Sequence, residues 1–333
     1  MIRANYKNTS TLTVQERILE FLRKKDNYVS GDYIAQRLGV SRQALWKHIQ
    51  GLKDMGYEIL AVPHLGYRLE AVPDRLFTFE VKHNLNTQFV GRRIRYFDRV
   101  ASTMDAAVRA GHEGSPEGTV IIAESQSKGR GRLGRQWVSP KYKGIYLSVI
   151  LRPRIMPSEA SILTLIAAVS LCDVIKEETG LEARIKWPND ILLGRKKVGG
   201  ILTELNGEMD RVHFVVIGIG INVNSDKRAL AAGATSLKEQ CRHRVGRLSL
   251  LQAVLRQLEK DYLVYGRGGV ESLCERWREH SLTLGRRVRV VSRREEIDGE
   301  AVDIESDGGL LIRQDSGVTR KVTSGDVSLA AAS

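Results

Sequence analysis

The sequence predicts an α/β (α+β) chain in three parts, and three observations carry that prediction. Residues 14–52 place apolar side chains at helical spacing, residues 93–223 mix strand-like runs with helical ones, and residues 283–333 hold only short strand-like runs broken by Asp-Gly turns. The predicted boundaries are 1–70, 75–282 and 283–333, with Glu70-Ala71-Val72-Pro73-Asp74 as a short linker. The central part alone is long enough to enclose its own core.

In chain order, Val14, Ile18, Leu19 and Leu22 define a first helix, and Ser30 to Leu38 a second, stopped at Gly39. Ser41 caps a third, with Leu45, Ile49 and Leu52 along one face. Helix, short Gly-containing turn, helix is the helix-turn-helix pattern. The other face of the third helix carries Arg42, Gln43, Trp46, Lys47 and Gln50, with His48 at its margin, so together with Ser41 it offers donors and cations to the phosphates and base edges of DNA. Residues 57–62 and 66–69 read as a two-stranded wing. The competing reading of this segment is a helical protein-interaction domain.

In the central part, Arg93 to Phe97 reads as a strand followed by Ala101-Ser102-Thr103-Met104-Asp105 and an alanine-rich helix, whose entry Ser102 and Thr103 would cap. Thr119 to Ala123 and Gly144 to Leu151 read as strands bridged by a loop containing Gly129-Arg130-Gly131-Arg132-Leu133-Gly134-Arg135. Glycines let backbone approach a ligand closely, and arginines supply fixed charge with forked donors. The spacing also spells the dinucleotide fingerprint, but that motif needs a helix opening at the loop and an acid about 20 residues on, and neither is present. A protein kinase is excluded because no H-R-D or D-F-G follows. On spacing alone, a loop that grips nucleic-acid phosphates stays open.

Ser161 to Thr179 is a strongly apolar helix ended by Gly180, read as too short to span a membrane. Lys186-Trp187-Pro188-Asn189-Asp190 joins a cation, an aromatic and turn chemistry. Arg195 to Ile201 leads into a strand, and Val212 to Val223 reads as a fully buried one whose Gly218 and Gly220 admit a flat ligand or close sheet packing. Further helices are predicted at 252–265 and 270–280, and short strands after Gly285 suggest a small barrel. Cys172, Cys241 and Cys274 have neither metal-ligand spacing nor an even count, so reduced thiols are expected. The formal charge of +13 suits phosphate-bearing partners or simple solubility. Polar first residues without an apolar core predict a cytoplasmic protein.

Taken together, the Ser-Thr turn, the glutamine before G-R-G-R-x-G-R, K-W-P-N-D, K-x-x-G-I and G-I-G-I-N-V closely resemble the series found in biotin protein ligases. With the N-terminal helix-turn-helix, the chain resembles the family's two-function class, biotin ligase and biotin operon repressor. That resemblance implies a central mixed sheet of the class II aminoacyl-tRNA synthetase/biotin ligase type and a C-terminal SH3-like barrel. It implies formation of biotinyl-5'-AMP from biotin and ATP, then transfer to a lysine of a biotin carboxyl carrier protein domain. It also implies repression through operator DNA by a homodimer with biotinyl-5'-AMP as corepressor.

Carried over residue by residue, the resemblance sets Ser102, Thr103, Met104, Gln126, Arg130, Gly131, Arg132 and Lys197 around biotin, with Met104 as apolar lining. Arg130, Arg132, Lys186, Asn189 and Asn222 are expected near ATP. Lys197, Arg132 and Asp190 are the expected catalytic groups, with Mg²⁺ sharing the phosphate charge and Asp190 as its protein contact. Trp187 is expected to pack beneath the site, and residues 111–118 and 229–236 to form a second cover. Two alternatives remain from the residues: a regulator that senses a ligand and catalyses nothing, and a lipoate-type ligase.

Overall fold

The computed structural model describes residues 13–24, 27–291 and 296–329. The chain folds as two compact units, divided between Asp74 and Arg75.

In the first unit, α1 (Val14–Arg23) opens with a reciprocal capping box between Thr13 and Glu16. It buries Ile18, Leu19 and Leu22. The second helix, α2 (Gly31–Leu38), ends at Gly39 in the left-handed conformation that favours glycine. Then α3 (Arg42–Asp54) starts at Ser41, whose side chain accepts from the Ala44 N–H, and buries Leu45, Ile49 and Leu52. A hairpin of β1 (Glu58–Val62) and β2 (Gly66–Ala71) forms the wing.

The second unit begins with a short helix, α4 (Thr78–Lys82), and continues through β3 (Ile94–Phe97), α5 (Thr103–His112), β4 (Val120–Ala123) and β5 (Gly144–Leu151). There follow α6 (Ser161–Thr179), β6 (Ala183–Lys186), β7 (Asp190–Leu193), β8 (Lys196–Gly207) and β9 (Val212–Asn222). These seven strands make one mixed sheet in the order β3-β4-β5-β9-β8-β7-β6, in which only β3 and β4 run parallel. Every residue of β4 and β5 is buried, as in a strand covered on both faces. One cover is α5, whose Met104, Ala107 and Ala110 cluster with Ile121, Ile150, Phe214 and Val216.

On the other side, α6 joins α7 (Leu237–Cys241), α8 (Arg247–Gly266) and α9 (Val270–His280) over the main core. Length and composition would let α6 cross a membrane, so the expectation that it is too short does not hold. Its burial among core side chains makes it a central helix instead. The chain ends in β10 (Arg287–Val291), β11 (Glu296–Ile304), β12 (Leu310–Arg313), β13 (Thr319–Val322) and β14 (Asp326–Leu329), an antiparallel sheet in the order β13-β12-β11-β10-β14.

Candidate active site

The loop between β4 and β5 folds over the sheet at the β8–β9 pair. Its entry is anchored by Glu124, a fully buried carboxylate held by the Arg247 guanidinium at 2.7 Å and by the Leu76 N–H at 2.9 Å. Ser125 Oγ donates to the Asp98 carbonyl, and the Trp137 N–H closes the loop on the Gly129 carbonyl at 2.9 Å. Within it, Arg132–Gly134 form a single tight turn, and Leu133 adopts φ 54° while remaining 60% exposed. A bulky residue in the left-handed region carries strain of about 1–3 kcal/mol.

Loop and sheet enclose a cavity of about 360 Å³, a size suited to a small organic ligand. Its wall combines Thr103, Met104, Gln126, Arg130, Gly131 and Arg132 with Lys186, Asn189, Asp190, Lys197 and Asn222, so nearly all the ligand and catalytic residues expected from sequence converge here. Ser102 does not line it. That residue is buried, and its hydroxyl caps α5 by accepting from the Asp105 N–H, which is the capping role the sequence also allowed. Residues 230–234 line the cavity, and this stretch is tied to Lys197, whose N–H donates to the Gly233 carbonyl and whose carbonyl accepts from the Thr235 N–H. Residues 111–118 do not line it: Gly111 packs on Phe214 instead, so the expected second cover has one segment rather than two.

The floor is set by two glycines. A Cβ on Gly220 would lie 2.6 Å from the Trp137 ring, and one on Gly218 would lie 2.4 Å from Met104 Sδ, so neither close approach tolerates a side chain. Trp137 stands at the end of the loop. In the fold its indole lies against the floor with Lys197 Nζ 5.6 Å from the ring, and its buried Nε1 has no hydrogen-bond partner among the described residues. Trp187 contributes to the wall while donating to the Gly308 carbonyl at 3.1 Å.

Electrostatically the wall is unbalanced. Lys197 pairs with Asp190 at 2.5 Å, Arg130 pairs with Asp105 and Glu204, and Arg135 pairs with Asp326 of β14. Arg132 and Lys186 have no ion-pair partner among the described residues. The Arg132 guanidinium instead donates to Asn189 Oδ1 at 3.2 Å and to the Gly325 carbonyl at 3.3 Å. Burial pushes its pKa below arginine's ordinary value, and the charges of Asp326 and Asp190 only partly offset that. A desolvated cation without a matched anion favours a ligand that brings negative charge. Arg135, Asp326 and the β14 wall were missed from sequence, because nothing local ties residue 326 to residue 135.

In the first unit, Arg42, Gln43, Trp46 and Lys47 are exposed on α3, and His48 and Gln50 are half-buried. Arg42 is engaged by Asp32 of α2, and Trp46 is 53% exposed, so Gln43, Trp46 and Lys47 form the open face of this helix.

The Biotin/lipoate A/B protein ligase family matches residues 96–222, a helix-turn-helix domain matches 14–68, and a biotin protein ligase C-terminal domain matches 283–330. The bifunctional ligase/repressor BirA of Bacillus subtilis is 38% identical over 322 residues, covering 95% of this chain and 99% of that protein. The protein of the same name from Escherichia coli is 32% identical, covering 91% and 93%. Among solved structures, a biotin protein ligase from Aquifex aeolicus in complex with biotin and ATP superposes with a TM-score of 0.63 at 29% identity, covering 72% of this chain and all of that one. The chain therefore belongs to the biotin/lipoate protein ligase family, in its bifunctional ligase/repressor class.

Proposed function

We propose that the chain is an ATP-dependent biotin protein ligase and a biotin-responsive transcriptional repressor. The single observation that carries the ligase reading is the cavity at the β8–β9 floor. Its polar wall groups Thr103 and Gln126 suit a cyclic urea, and its unpaired cations Arg132 and Lys186 suit polyphosphate. In the first step the biotin carboxylate attacks the α-phosphorus of ATP and pyrophosphate leaves. Both reactants are anions, so Lys197 and Arg132 offset their repulsion and stabilise the charge that develops on the phosphoryl oxygens. Lys186 and Arg130 hold the outer phosphates, and Asn189 keeps Arg132 in place.

In the second step the neutral ε-amine of the acceptor lysine attacks the acyl carbon and AMP leaves. Asp190, carried beside Lys197 by the β7–β8 hairpin, takes the amine's proton. The acceptor is a lysine of a biotin carboxyl carrier protein domain. Among the described residues no group of three His, Cys, Asp or Glu side chains could hold a metal ion, and Asp190 is already engaged by Lys197. Mg²⁺ would therefore be held chiefly by the ATP phosphates, sharing their charge with Lys197 and Arg132, with Asp190 as its protein contact.

The repressor reading rests on the open α3 face. Biotinyl-5'-AMP acts as corepressor, a two-fold dimer presents two α3 helices to a palindromic operator, and the protein works in the cytoplasm. Biotin-dependent exchange between ATP and labelled pyrophosphate tests the ligase half. Exchange driven by lipoate but not biotin assigns the cavity to another acid, and no exchange with either makes the chain a sensor. For the repressor half, operator affinity is measured with and without biotin and ATP; affinity indifferent to both ligands removes the regulatory claim.

A further inference from the structure

Five groups beneath the cavity form a hydrogen-bond chain whose direction is forced. The Thr103 backbone N–H donates to Gln126 Oε1 at 2.8 Å, and because a backbone N–H only donates, that end of the Gln126 amide is the oxygen. The same oxygen lies 3.1 Å from Thr103 Oγ1. An amide oxygen only accepts, so the Thr103 hydroxyl proton points at Gln126. Ser148 Oγ lies 3.0 Å from Thr103 Oγ1 in a buried contact, and with the Thr103 proton committed elsewhere, Ser148 is the donor there. At the far end Gln126 Nε2 donates to Ser139 Oγ at 2.9 Å, and Ser139 donates to the Trp137 carbonyl at 3.2 Å.

A hydroxyl has one proton and two lone pairs. Thr103 directs its proton to Gln126 and one lone pair to Ser148, so a single acceptor site is left. Thr103 and Gln126 line the cavity, whereas Ser148, on β5, lies wholly buried behind them.

We propose that Ser148 is a specificity-determining positioning residue: by donating to Thr103 Oγ1 from behind, it pins in place the oxygen that Gln126 orients as an acceptor toward the cavity. The site then takes a ligand that presents an N–H there, as a cyclic urea does, and disfavours one that presents a carbonyl oxygen, a sulfur or an alkylated nitrogen. This rests on the biotin reading of the cavity. Without Ser148 one of the two hydrogen bonds that pin the Thr103 oxygen is lost. The Thr103 proton stays on Gln126, but the oxygen can leave the position from which it accepts a ligand N–H, so the discrimination falls.

The test uses the full-length chain and calorimetric binding of biotin and of biotin methylated at both ureido nitrogens. Ser148→Ala is expected to weaken biotin about tenfold, equivalent to about 1.4 kcal/mol, and to narrow the preference for biotin over the methylated analogue. The KM for ATP stays within about twofold, a split that general loosening of the fold would not give. Ser148→Cys, which keeps a weaker donor, falls between the two. In a double-mutant cycle, Ser148→Ala adds less than about twofold once Thr103→Val has removed the hydroxyl. A parent chain that binds biotin, with Ser148→Ala binding it equally well and with the same preference, overturns the inference alone. Additive effects in the cycle do the same. A parent chain that binds no biotin overturns the functional reading and this inference with it.

Discussion

Replacing Lys197 by alanine separates the chemistry of the site from its stability. Lys197 Nζ lies 2.5 Å from Asp190 Oδ1, with the two side chains 35% and 25% exposed. A pair with that much access to solvent contributes about 0–1 kcal/mol to folding, so the second unit should lose no more than about 4 °C in Tm. Catalysis is affected far more. Removing one positioned donor from a developing oxyanion typically costs a factor of about 10² to 10³, or roughly 2.7–4 kcal/mol. The substitution also leaves Asp190 as an unmatched carboxylate facing incoming phosphate. Single-turnover formation of the adenylate, measured with biotin and ATP both saturating, should slow by that factor. Arg132 remains in place to hold the phosphates, so the KM for ATP should change less than the rate. If Lys197→Ala forms adenylate at the parent rate, Lys197 does not stabilise the transition state and the assignment of the site fails.

At the cavity floor, Gly220→Ala places a methyl group 2.6 Å from the rigid Trp137 ring, so the indole must tilt into the ligand space. Overpacking of this kind destabilises by about 1–3 kcal/mol, and calorimetry should show biotin affinity lost while the fold persists. Arg247→Met leaves the fully buried Glu124 with Arg75 as its one cationic partner among the described residues. A stability loss approaching about 3–5 kcal/mol should appear as a lower urea midpoint; a shift under about 1 kcal/mol would show that Arg75 suffices. Although burial works against it, hydrogen bonds from His280 and Arg276 hold the Asp173 carboxyl below its ordinary pKa. Its contribution to stability is therefore present above about pH 4 and is lost as pH falls through the depressed folded value. Asp173→Asn should flatten the acid limb of the Tm against pH curve, and an unchanged limb would count against the ion-pair assignment. On α3, Lys47→Ala should weaken operator DNA uniformly across sequences and lower the salt slope by about one, as loss of one phosphate contact requires.

Much of this protein is legible without coordinates because its signals are local. Ser41 and Gly39 mark helix ends through their own hydrogen bonding and backbone freedom, and the buried positions of α1 and α3 follow from a period of 3.6. The loop glycines and arginines, the β6–β7 turn and the buried β9 strand are likewise written in short segments. The five-residue helices α4 and α7 were not read, since each is too short to show a period.

The sequence by itself determined the residue types of the ligand site and the elements that carry them, because charge, capping and hydrophobic period belong to neighbours along the chain. Tertiary structure alone decided which of them meet. It turned Ser102 into a cap, brought Trp137 onto Gly220, set Asp326 against Arg135, and put Ser148 behind Thr103. Those contacts join positions far apart in sequence through strand register and helix packing. A hydroxyl's remaining lone pair or a guanidinium's missing counter-ion exists only once the chain has closed around it.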